Sequence, residues 1–190
     1  MFQIRIHGRG GQGVVSAAEM LSVAAFLEGK HAQAFPSFGS ERTGAPVVAF
    51  CRIDTKPIRL REPVVNPDAL IIQDVTLLGQ LPLLDDVGPD TYVLINSPRR
   101  MVDFYSIPGF EDRGSERWRC VPATELATQY TGLGLPNAAL LGGFAALTGQ
   151  LGADSIYAAI REKFPGEVGK SNGAAAMAAF ELLAKETRYA

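Results

Sequence analysis

Three glycines near the amino terminus have the spacing of an anion cradle. In His7-Gly8-Arg9-Gly10-Gly11-Gln12-Gly13, Gly8, Gly10 and Gly13 fall in G-x-G-x-x-G register, with Gly11 and Gln12 completing the turn. Upstream, Met1-Phe2-Gln3-Ile4-Arg5-Ile6 alternates as a strand does, and downstream Val14 to Leu21 continues at helical spacing. Glycines let a ligand approach backbone closely, while the free N–H groups of a first helical turn point along a dipole worth about half a positive charge. Gly8, Gly10, Gly11, Gln12 and Gly13 are therefore the cofactor-binding candidates, with a phosphate as the group held. The same glycines also serve close packing of helix on strand, and both uses stand open.

A dinucleotide site of this type wants an acid at the end of the second strand, about twenty residues on, to hold a ribose. Glu28 has the distance but precedes Gly29-Lys30, before the second strand begins. The second strand, His31 to Phe35, ends in Pro36-Ser37-Phe38-Gly39 with no acid, which disfavours an ordinary NAD site.

The next stretch, Phe35 to Pro46, mixes two prolines, two glycines and hydroxyl residues with two phenylalanines and the adjacent pair Glu41-Arg42. Its composition marks a loop, and functional residues concentrate on loops carried by a rigid scaffold. Phe38, Ser40, Glu41 and Arg42 are its candidates for contact with a ligand or a neighbouring subunit; internal packing of Phe35 and Phe38 is the simpler use.

Other chemistry is scarce. Cys51 and Cys120 are isolated, whereas an iron–sulfur cluster or structural zinc usually takes four ligands, so no metal site is expected in this chain alone. Of the two histidines, His7 at a strand end is the better functional candidate. A formal charge of −2, mixed along the chain, argues against nucleic acid or a membrane surface as main partner. Met1 leads directly into the first strand and no long apolar run follows, so the expected location is the cytoplasm.

The elements that must position these groups read as one α/β domain over 1–190. A first βαβ unit is followed by the strong strand Val47 to Asp54, which Thr55-Lys56-Pro57 turns into Ile58 to Arg61 as a hairpin. Asp68 to Asp74 and Thr91 to Asn96 read as buried strands, with Asp74 or Thr76 capping a short helix between them. From Ser97 to Arg119 no periodicity shows, and Trp118 is a candidate anchor on a neighbour. A short strand at Cys120 to Ala123 is followed by a helical last third, with Thr124, Asn137, Asp154 and Asn172 as helix caps and an alanine-rich packing surface. Strands alternating with helices predict a Rossmann-like, mainly parallel mixed sheet flanked by helices, with a β-hairpin insertion and a helical C-terminal third.

Taken together, Gly8 to Gly13 after the first strand, Pro36 to Pro46, Asn137 opening a helix with Gly142, and Asn172 after Lys170-Ser171 make the chain resemble the gamma subunit of 2-oxoacid:acceptor oxidoreductases, the pyruvate:ferredoxin oxidoreductase family. The resemblance covers nearly the whole length. It implies a complex that decarboxylates a 2-oxoacid on thiamine diphosphate with Mg, passes electrons through [4Fe-4S] clusters to ferredoxin or NAD, and delivers the acyl group to coenzyme A. This chain would be a non-catalytic subunit, packed against thiamine-binding alpha and beta subunits and an iron–sulfur subunit, with the glycine turn a candidate for coenzyme A phosphates. The 2-oxoacid, from pyruvate and 2-oxoglutarate to branched-chain acids and phenylglyoxylate, would be chosen elsewhere. Two other readings stand beside it: a stand-alone NAD(P)- or flavin-binding oxidoreductase, and an assembly module without ligand.

Overall fold

The computed structural model describes residues 1–37, 43–110 and 116–189. Among these, six strands form one sheet: β1 (Phe2–Arg9), β2 (His31–Pro36), β3 (Pro46–Asp54), β4 (Ala69–Ile72), β5 (Tyr92–Asn96) and β6 (Trp118–Val121). The helices are α1 (Val14–Leu27), α2 (Ala123–Thr131), α3 (Asn137–Thr148), α4 (Ala153–Lys163) and α5 (Gly166–Tyr189). The spatial order is β2-β3-β1-β4-β5-β6; β1, β4, β5 and β6 pair in parallel, while β3 runs antiparallel to both β1 and β2.

The expected hairpin is not formed. Ile58 to Arg61 is irregular, with Leu60 exposed, and β3 instead lies between β1 and β2, so the first βαβ unit has a third strand inserted into it. The reason lies in β3 itself: Ala49 to Ile53 are all buried, and such a strand needs partners on both edges.

Crossover handedness then decides the layers. The chain leaves β1 through α1 towards β2 in one direction, and passes from β4 to β5 to β6 in the other. Right-handed crossovers in opposite directions fall on opposite faces. Accordingly α1 and the later helices cover one face, burying Ile4, Ile6, Ile71 and Leu94. The other face buries Leu70, Ile72, Val93 and Ile95 beneath two short 3-10 turns, Val75–Gly79 and Met101–Phe104, and their flanking segments. Trp118 belongs to this second core, 2% exposed and edge-on to Phe110 at 5.1 Å, and so is not a free anchor for a neighbour.

Several caps differ from expectation because side chains from other elements supply them. Thr124 lies inside α2, and its N–H donates to the Asn96 side chain at the end of β5. Asp154 lies in the first turn of α4, where Glu28 accepts from the Gly152 N–H and the Ser155 hydroxyl. Glu28 therefore serves the far end of α1, about 20 Å along that helix from the glycine turn. Asn172 is interior to α5 and donates to the Val168 carbonyl. Asp74 does cap the Val75–Gly79 turn, accepting from the Thr76 N–H. No helix among the described residues is long and apolar enough to cross a membrane.

Candidate functional site at the end of β1

In open α/β sheets ligands bind beyond the carboxyl ends of the strands, at the point where strand order reverses. Here that point is β1, from which the chain moves one way to β2 and the other way to β4 and β5. The glycine turn stands there. Because β3 is antiparallel, its start and the end of β2 lie at the same end of the sheet, which brings Thr43, Gly44 and Ala45 to the turn as well.

Hydrogen bonds join the two motifs directly. The Gly10 N–H donates to the Ala45 carbonyl (2.9 Å), the Gly44 N–H donates to the Gly10 carbonyl (3.0 Å), and Gly10 pairs with Thr43 as a parallel bridge. Phe38, Ser40, Glu41 and Arg42 lie outside the described residues; both flanks of their stretch are tied to this end of the sheet, by Ser37 N–H to Val48 and by Gly44 to the turn.

Side chains brace the turn from behind. Gln12 Oε1 accepts from the Arg9 N–H (2.8 Å) and Gln12 Nε2 donates to Asp74 Oδ2 (3.0 Å). The Arg9 guanidinium donates to Asp74 Oδ2 (3.1 Å), Thr76 Oγ1 (2.7 Å), Gln80 Oε1 (3.0 Å) and the Gly44 carbonyl (3.1 Å). Burial pushes the Asp74 carboxyl up, but hydrogen bonds from Thr76 and Gln12, with the Arg9 charge, hold it below the usual range. Asp74 is thus ionised at neutral pH and Arg9 is neutralised by it. Sequence reasoning marked Asp74 only as a cap; nothing local announces that it anchors a turn more than sixty residues earlier.

What remains open is backbone. Gly11 has φ +94° with no atom within 4 Å of where a Cβ would stand, and Gly13, at φ +72°, is the residue before α1. No side chain caps α1, no acid occupies its first turn, and its first N–H groups have no intrahelical acceptor. Arg9, Gly10, Gly11, Val14, Ser16 and Val47 line a cavity of about 300 Å³ at that helix end. The expected packing use is also present, but at other glycines: a Cβ on Gly8 would stand 2.6 Å from Val14 Cγ2, and one on Gly13 would overlap the Asn137 side-chain amide. Asn137 is accordingly not the cap of α3 but its buried first residue, packed under Gly13. Gly8 and Gly13 thus serve contact, and Gly11 leaves space.

His7 does not join this site. Ile4 and Ile6 face α1, so the residues alternating with them, Arg5 and His7, face the opposite core. Burial, and then the Arg5 charge, lower the His7 pKa to about 4, and its Nε2 is buried without a protein hydrogen-bond partner. The imidazole is neutral at physiological pH. Between pH 6.5 and 4 the unfolded chain takes up a proton that the folded chain does not, so His7's contribution to stability is fully present above 6.5 and is lost as pH falls towards 4. That difference is on the order of 3 kcal/mol. His7→Gln should flatten the fall of thermal midpoint across this window relative to the wild type; parallel profiles would contradict it.

Cys51 on β3 and Cys120 on β6 are free thiols with three strands between them, roughly 19 Å at the usual strand spacing, too far to share one cluster.

The fold and the glycine turn define a Rossmann-like α/β domain whose first helix begins, uncapped, at the end of β1. Residues 3–182 match the family model for pyruvate ferredoxin/flavodoxin oxidoreductase. The common gamma subunit of pyruvate/ketoisovalerate oxidoreductases from Pyrococcus abyssi is 42% identical over 181 residues, covering 95% of this chain and 96% of that one. Pyruvate synthase subunit PorC of Methanothermobacter thermautotrophicus is 42% identical over 185 residues, 97% of each chain. The crystal structure of pyruvate oxidoreductase subunit PORC from Thermotoga maritima superposes with a TM-score of 0.81 at 37% identity, covering 95% of both chains. The chain belongs to this oxidoreductase family, as a subunit of the gamma type.

Proposed function

We propose that this chain is the non-catalytic gamma subunit of a 2-oxoacid oxidoreductase complex, packed against thiamine-binding alpha and beta subunits and an iron–sulfur subunit, and that its glycine turn holds a phosphate of coenzyme A. The partner subunits' thiamine diphosphate and [4Fe-4S] clusters would supply decarboxylation and electron transfer. This chain's part is binding: the α1 N-terminus receives the anion, Gly11 leaves room for it, and the braced Arg9–Asp74–Gln12 network keeps the turn from collapsing. The observation that carries the reading is the uncapped N-terminus of α1 opening into a cavity of about 300 Å³, since a helix end without a cap leaves donors that an anion satisfies. Assembly is supported by large apolar side chains left on the surface, Phe26 at 75%, Leu133 at 62% and Val168 at 59% exposure. In the loop, Arg42 is proposed to engage a carboxylate or phosphate, with Phe38, Ser40 and Glu41 at the contact.

The test compares Gly11→Ala with Gly11→Asp in the whole complex. Both share the strain of an L-residue at φ +94°, roughly 1–2 kcal/mol, so both should lose similar stability. Only aspartate places a charge where the phosphate sits. Gly11→Asp should raise the apparent KM for coenzyme A about tenfold, equivalent to roughly 1.4 kcal/mol, while Gly11→Ala stays near wild type. Equal coenzyme A dependence in the two variants would reject the ligand role.

A further inference from the structure

A second cleft, of about 350 Å³, opens at the carboxyl ends of β5 and β6. The chain leaves β5 through Ser97-Pro98-Arg99-Arg100, and Arg119 of β6 lines the same cleft. Ser97 is buried, and its Oγ accepts from the Arg99 N–H at 3.0 Å, which fixes where the arginine pair begins. Arg99 and Arg100 are exposed and have no ion-pair partner among the described residues. Of the described lining residues, the carboxylate is Glu186 of α5, set against the two exposed guanidinium groups of Arg99 and Arg100. Met101, Pro122 and Leu182 add an apolar wall.

We propose that this cleft binds a small phosphate-bearing molecule, held by the Arg99 and Arg100 guanidinium groups. Arginine forks match phosphate oxygens two at a time, and a site of this size with apolar walls and a few convergent charges suits a small molecule. An acidic protein surface would fit a flat basic patch better than a recessed cleft with an apolar wall. The site is separate from the glycine turn, two strands or roughly 10 Å away along the sheet. It does not depend on the coenzyme A reading.

Isothermal titration of the full chain with inorganic pyrophosphate, at constant ionic strength, tests it. In Gly11→Asp, where the turn is blocked, saturable binding should persist. Adding Arg99→Ala and Arg100→Ala should weaken that binding at least tenfold, adding the corresponding lysine changes should weaken it less, and adding Arg161→Ala should leave it unchanged. Both arginines are exposed, so the variants keep the fold, checked by their circular dichroism. Absence of saturable binding in Gly11→Asp, or equal affinity with and without the two arginines, would overturn the proposal. So would binding of polyglutamate in place of pyrophosphate, which would assign the cleft to an acidic protein partner.

Discussion

Gly142→Ala is expected to lower the thermal midpoint by about 6–12 °C, through loss of about 3 kcal/mol. At this position α3 crosses α5 so closely that a Cβ would stand within van der Waals overlap of backbone: 2.5 Å from the Ala176 carbonyl carbon and 2.9 Å from its Cα, with the carbonyl oxygen nearer still. Side chains can rotate away from an added methyl; a helix backbone can only translate. That translation would pull Ala175, Ala176 and Ala179 off the alanines and leucines of α3, loosening the larger of the two cores. Gly79→Ala is the control, since no atom lies within 4 Å of its Cβ position and its φ is ordinary. A midpoint for Gly142→Ala within a degree of that control would refute the crossing as a stability determinant.

Asp86→Ala should cost about 3 kcal/mol, for a different reason. Arg5 points from β1 into the second core and donates to both Asp86 carboxylate oxygens, at 2.5 and 2.6 Å, and to the Leu83 carbonyl at 3.1 Å. Its side chain is 11% exposed and that of Asp86 27%. Removing the acid strands a buried guanidinium, typically a loss of about 3–5 kcal/mol, here towards the low end because Asp86 is partly in water. The Arg5 hydrogen bonds hold the Asp86 carboxyl below its ordinary value against burial, so this contribution is present above the unfolded pKa of 3.8 and is lost as pH falls through the lower folded value. The gap in stability between wild type and Asp86→Ala should therefore be constant at neutral pH and close below about pH 4, the carboxylate range. This is a lower window than that of His7. A gap that narrows between pH 8 and 6 instead would contradict the assignment.

The glycine turn was legible because its signal is local. Strand alternation, positive-φ glycines and helical spacing all occur within some twenty residues, and backbone sterics alone restrict what such a stretch can do. The same holds for the buried strands at Ala69–Ile72 and Tyr92–Asn96, whose continuous apolar runs need burial on both faces. By contrast, the helix caps depended on which distant side chain arrived. Glu28 caps α4 from more than a hundred residues away and Asn96 serves α2 from the end of β5, and spacing along the chain carries no trace of either. His7 shows the limit for a site residue: its position beside the turn was visible, but the face it occupies was decided by the alternation of β1 against two different cores.

By itself, then, the sequence determined the strand–turn–helix unit, the α/β class and the scarcity of metal ligands, all of which follow from residue type and short-range geometry. Only the tertiary structure decided that β3 inserts between β1 and β2, that Thr43 to Ala45 are tied to Gly10, and that Asp74 neutralises Arg9. These are long-range pairings, selected by which strand edges, carbonyls and charges remain unsatisfied once neighbouring elements have folded, and no local pattern encodes that competition.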